Sequence, residues 1–274
     1  MEARMTTLGA WLMGATLVAY ALAAVFHIRE LYLPRSRRLA VGTTLAALVL
    51  ETAVIAERFR SPHAAFLSLY EWMLVLTWLL VAVYLVGGVR SRALRRAGVF
   101  LMPIVFFFLL PAAILPRVAA AQRPSLSGWW VWLHLTTATA ATGVLIMQAV
   151  TALMYMHLER GIRYRMFHAF YRRLPPLEVL DRLCGGLAGV GLGLMTVAIG
   201  AGVVWAGHSW HHYWSWNPKE SWTALTWLLY TGYVAARRYL PGRRTVPLAL
   251  FAFGALVIDV LLINLLPGPH SFRA

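Results

Sequence analysis

Long stretches without charge decide what this chain can fold into. Eight predominantly apolar runs lie at about 8–26, 39–56, 69–87, 98–115, 129–157, 183–206, 221–239 and 246–266. A helix needs roughly 20 such residues to cross about 30 Å of hydrocarbon. Only 13% of the residues are charged and the mean hydropathy is +0.66. The pattern predicts an all-α integral membrane protein: a bundle of about eight transmembrane helices forming a single polytopic domain over residues 1–274, with no soluble domain. Met1 to Thr7 carry little charge and the first run is a full-length helix, so a membrane anchor is expected rather than a cleaved leader.

The net charge of +15 would suit a polyanion, but its placement points elsewhere. Basic residues cluster after every second helix: Arg29 to Arg38, Arg90 to Arg96, Arg160 to Arg182, and Arg237 to Arg244. Those four clusters hold 18 of the 25 basic residues, and the opposite side holds Arg4, Arg58, Arg60, Arg117, Arg123, Lys219 and Arg273. The positive-inside rule then puts both termini outside, in a multi-pass protein of the cell's inner (cytoplasmic) membrane. Anionic lipid of the inner leaflet is the expected partner, with no nucleic acid. The segment 163–173 alternates arginines with aromatic residues and reads as a short interfacial helix. The single cysteine, Cys184, excludes an internal disulfide, a CxxC pair and covalent haem attachment on this chain.

Residues 205–227 hold half of the twelve tryptophans and three of the nine histidines. That density exceeds an ordinary interfacial belt and suggests an aromatic platform for a large planar ligand, with the nearby histidines suggesting a metal in it. The expected topology places three elements on the outer face: the loop 207–220, the start of the fifth helix with His134, and the tail with His270. For His134 the residues alone leave a structural role and a ligand role open. His270 reads as a solvated tail histidine by itself, and adjacent His211 and His212 suit a surface role. His27, His157 and His168 map to inner helix ends. Glu51, Glu71 and Asp259 are carboxylates within or beside apolar helices, where function and hydrogen bonding are both open.

The run from Gly202 through Val204, Trp205, Ala206, Trp210, Tyr213, Trp214, Ser215, Trp216, Pro218, Lys219, Glu220, Trp222 and Trp227 resembles the tryptophan-rich "WWD" segment of haem-handling proteins, here about 202–227. Its form is closest to the CcsA (ResC) family of cytochrome c biogenesis and to HemX-like relatives. Three further pieces agree with that family: Leu69-Tyr70-Glu71 with Trp78, Trp132-Leu133-His134, and Ile263-Asn264 followed by His270-Ser271-Phe272. The resemblance implies haem b at the outer face, His134 and His270 as axial iron ligands, and Trp205, Trp210, Trp214, Trp216 and Trp222 packed around the porphyrin. It implies presentation of that haem to apocytochrome c, a haem lyase or synthase-subunit role, and a CcsB-like partner subunit. Arg58, Arg60, Arg117, Arg123 and Lys219 are candidate partners for the propionates.

Two positions depart from the family pattern. Asn217 stands where the motif has Asp, so any role of that charge in orienting Lys219 is in question. Ala235 stands where the family has a membrane histidine. Met147 and Met195 are the helical methionines that an intramembrane iron would otherwise meet, although helical methionines usually fill core gaps. Three readings stay open at this stage: a haem-presenting assembly factor, a HemX-like haem-binding regulator without synthase activity, and a transporter of another apolar solute.

Overall fold

The computed structural model describes residues 7–60, 69–90, 92–114, 128–165, 174–240 and 242–261. These residues form eight α-helices and one 3-10 turn, with no strand among them. The helices are α1 Thr7–Tyr32, α2 Arg37–Arg60, α3 Leu69–Arg90, α4 Arg92–Ile114, α5 Trp129–Arg163, α6 Leu177–Trp210, α7 Pro218–Ala236 and α8 Gly242–Leu261. Seven are long and apolar enough to cross a membrane. Helix α7 is not among those seven, because its apolar surface comes largely from Trp and Tyr interspersed with Thr, and it opens on Lys219 and Glu220. The protein is an all-α, multi-pass membrane protein.

The fold divides into two compact units, one of residues 1–119 with 160–175, the other of residues 120–159 with 176–274. In the first, α1 packs on α2 and α4, and α3 on α4 and α2. Its contact faces are stripes of small residues. Helix α1 buries Gly9, Met13, Thr16, Ala19, Tyr20, Ala23, His27 and Leu31, a spacing that keeps one helix face on its neighbours. On α2 the buried residues are Ala40, Thr44, Ala47, Glu51, Val54 and Arg58. Small side chains let backbones approach where lipid offers no hydrophobic drive to associate.

Polar groups inside this unit are matched with one another. Glu51 accepts from Tyr20 Oη at 2.6 Å and meets Thr77 Oγ1 at 2.6 Å. Glu71 accepts from Arg58 Nε at 2.6 Å. His27, expected at an interfacial helix end, is 1% exposed. It is held by Thr44 Oγ1 at 3.2 Å and stands edge-on to Tyr84, and Gly98 leaves the space its ring fills. The helix continues past it to Tyr32, so the residue lies deeper than the edge of the apolar run suggested. Pro103 and Pro111 lie inside α4, which runs through both to Ile114; Pro116 lies outside the described residues.

In the second unit α7 packs on α8 and α6. Helix α8 turns an alanine-rich face, with Ala249, Ala252 and Ala255, into the unit, and α7 buries Thr226, Tyr230 and Tyr233. Cys184 is buried against Gln148 Nε2 and Tyr233 Oη, each 3.2 Å from its sulfur. Arg237 forks onto Asp181 with both Nη atoms at 2.9 Å, tying the end of α7 to the start of α6. Met147 and Met195 are 6% exposed and fill core positions.

Candidate functional site

Helix α5 carries His134 and α6 carries the groups around it. A backbone carbonyl only accepts, so the 2.8 Å contact between His134 Nδ1 and Ala198 O fixes the proton on Nδ1 and puts the lone pair on Nε2, which makes no hydrogen bond among the described residues. The imidazole lies against Gly202, where an added Cβ would fall 2.8 Å from Nδ1. The Trp205 ring is close to parallel with the imidazole, at 21° and 6.3 Å between centroids. Trp205 is itself buried. His134 and Trp205, 71 residues apart, thus come together, with Trp205 on α6 just before the loop 207–220 that was expected to share a face with His134. The third outer element, with His270, lies outside the described residues, as do Arg117 and Arg123.

The tryptophan loop is shorter than the sequence suggested. Helix α6 continues to Trp210 and stops at His211, whose φ of 60° is left-handed. Pro218 already opens α7, with Asn217 as its cap, so the connection is only residues 211–217. Trp210 ends α6. Within the connection Trp214 and Trp216 stand edge to face, 5.8 Å apart at 81°. The Trp214 indole N–H is buried and meets no acceptor among the described residues. Trp216 is 76% exposed and holds φ at 55°, an uncommon conformation for a bulky residue. His211 and His212 are exposed, in keeping with a surface role.

Asn217 acts as a cap, not as a guide for Lys219. Its Oδ1 accepts from the Glu220 amide at 2.9 Å, while its Nδ2 donates to Glu220 Oε1 at 2.8 Å and Ser215 Oγ at 3.0 Å. Glu220 in turn accepts from the Ser215 amide at 2.7 Å. This is a capping box displaced by two residues at the acidic end. Lys219 instead reaches Asp259 of α8, 3.2 Å from Oδ1 and 3.3 Å from the backbone carbonyl. Thr223 Oγ1 meets both Asp259 carboxylate oxygens, and Trp222 Nε1 donates to Ala255 O at 2.8 Å.

Of the cations weighed for propionate binding, Arg58 and Lys219 are therefore engaged with Glu71 and Asp259. Ala235 is exposed on α7 while Tyr233 is buried. Among the described residues no group of three or more His, Cys, Asp or Glu side chains is placed to hold a metal ion. Sequence reading missed Ala198, whose contribution is a carbonyl, and Thr223. Gly202 was visible only as a motif letter.

Residues 61–270 match the family described as cytochrome C assembly protein. The chain belongs to that family. It is 29% identical to the cytochrome c biogenesis protein CcsA of Guillardia theta, over 94% of this chain and 91% of that protein. It is 27% identical to the CcsA of Gloeobacter violaceus, over 92% and 90%. A solved structure named cytochrome c heme lyase CcmF shares the fold, with a TM-score of 0.68 at 17% identity, covering 96% of this chain and 48% of CcmF. A CcsA-like protein of cytochrome c assembly is thus what the fold carries.

Proposed function

We propose that this CcsA-like chain binds haem b at the outer face of the membrane and presents it for attachment to apocytochrome c. The observation that carries the reading is His134. Its Nδ1 is committed to a backbone carbonyl and its Nε2 lone pair, beside Trp205 in the tryptophan segment, is unused among the described residues. Metal-ligating histidines take this form, one ring nitrogen oriented by a carbonyl and the other presented to the metal. The buried Trp214 N–H supplies a donor that nothing else in the described chain uses. This donor set fits a planar ligand with an iron centre and acidic side arms.

His134 and His270 are the proposed axial ligands. Iron held by two imidazoles would favour holding over oxygen chemistry. Trp205, Trp210, Trp214, Trp216 and Trp222 form the aromatic surround. When bound, the haem supplies the vinyl groups that the cysteines of an apocytochrome would join. The chain's own part is to hold the imidazole in one tautomer, exclude water with indole surface, and leave the exposed Trp216 side open to a protein partner. The name of the CcmF neighbour, a haem lyase, and the CcsA names of the relatives support this reading. A CcsB-like subunit is the proposed partner.

The test is an absorption spectrum of the chain purified in mild detergent. The wild-type should show a haem b Soret band. His134→Ala and His270→Ala should each weaken or shift it, and added imidazole should restore part of it. Unchanged haem content and spectrum in both variants would refute the ligand pair. A cytochrome c reporter in a strain lacking its own synthase then separates presentation of haem from binding alone.

A further inference from the structure

Helix α7 is held by a charge pair near each end. Arg237 meets Asp181 after its last turn, and Lys219 meets Asp259 in its first. The second pair is the more buried, with the Asp259 side chain 8% exposed and that of Lys219 28%. Burying such a pair in a membrane protein gains little stability, because desolvation offsets the attraction, and its best-attested use is to fix register. The surroundings fit that use. On α7 the engaged residues are Lys219, Trp222 and Thr223, at i, i+3 and i+4; on α8 they are Ala255 and Asp259, at i and i+4. Sliding α8 by one turn would bury the Asp259 carboxylate without any of these partners.

The grip extends from α8 into the aromatic loop. Glu220 and Asn217, on either side of Lys219, bind Ser215. Ser221 Oγ bonds Trp216 O at 3.3 Å. Trp216 keeps its left-handed backbone between these bonds. We propose that Lys219 and Asp259 are positioning residues that set where Trp214 and Trp216 stand, a role that rests on the haem-binding reading. Neither residue need touch the ligand. The pair anchors the first turn of α7 to α8, that turn anchors residues 215–217, and the indoles follow.

The deciding comparison uses the full chain in detergent, apo and haem-loaded, as wild-type, Asp259→Asn and Lys219→Met. Asp181→Asn serves as the control, because it loosens the other end of α7. In the apo protein, amide exchange over residues 211–220 should quicken in the first two variants and stay at the wild-type rate in the control. In the loaded protein, transfer of haem to apomyoglobin should speed up about tenfold, the lower end of what losing an orienting partner costs a metal site. The Soret position should hold, because His134 keeps its carbonyl. The control should lose thermal stability only. Unchanged exchange and release in Asp259→Asn would overturn the proposal, as would equal effects in Asp181→Asn, which would mean general loosening. Should Asp259→Asn fail to accumulate, Asp259→Glu and Lys219→Arg keep the charges, displace them, and should show smaller changes of the same sign. If the wild-type chain takes up no haem at all, the functional reading fails, and the exchange comparison still decides the clamp.

Discussion

Gly202 is the position where one methyl group would press on the His134 ring. Its missing Cβ lets the imidazole of His134 lie against α6, since a Cβ there would sit 2.8 Å from Nδ1. Gly202→Ala should displace the ring, break the bond to Ala198 O, and lower haem affinity by about 10–100-fold, as loss of an orienting partner does at other metal sites. Gly200 offers the comparison, because it lies two residues away on the same helix and a Cβ there meets nothing within 4 Å. Gly200→Ala should bind haem as the wild-type does. Equal haem content in both variants would remove Gly202 from the site. At this scale the sequence was legible where a side chain lines the candidate site, as with the adjoining His134 and Trp205. It was opaque where a backbone atom or an absent atom does, as with the Ala198 carbonyl and the Gly202 hollow.

The elements were legible in kind and order, and their ends were not. The apolar run ends near residue 206, whereas α6 continues to Trp210 on its own backbone bonds until His211 turns left-handed. Helix α5 likewise runs on to Arg163, past the apolar limit expected near residue 157. The start of α7 moved the other way, to the proline that Asn217 caps. Asn217→Ala should cost about 1 kcal/mol, the usual worth of such a cap, read as a drop in thermal midpoint. Asn217→Asp restores the family's residue type, yet it should also destabilise this chain. An aspartate would keep the cap but place a carboxylate where Nδ2 now donates to Glu220 Oε1 at 2.8 Å. Pairing Asn217→Asp with Glu220→Gln should recover the loss. An Asn217→Asp chain as stable as wild-type would show that the Asn217–Glu220 bond contributes nothing.

For the molecule as a whole, α7 decides the topology. It is the one helix here that falls short of the apolar standard met by the other seven, and if it did not cross, the C-terminus would change sides. Three arguments favour crossing. Its 19 residues span about 28 Å at 1.5 Å per residue, close to the hydrocarbon thickness. Several of its polar groups are also satisfied internally: Thr226 and Thr231 donate to carbonyls one turn back, and Lys219 has Asp259, while the buried Tyr230 hydroxyl meets no partner among the described residues. Charge points the same way. Arg237, Arg238, Arg243 and Arg244 follow α7, and crossing puts them with the other three basic clusters, giving the 18-to-7 partition. Without it they would share a side with the tryptophan loop, against the positive-inside rule. Alkaline phosphatase, active only outside the cytoplasm, should therefore be active when fused after Ala274 and inactive when fused after Leu240. Activity of both fusions would mean that α8 does not separate them. Inactivity after Ala274 with activity after Leu240 would mean that α7 does not cross or that the whole bundle is inverted; a fusion within the tryptophan loop, active in the first case and inactive in the second, tells them apart.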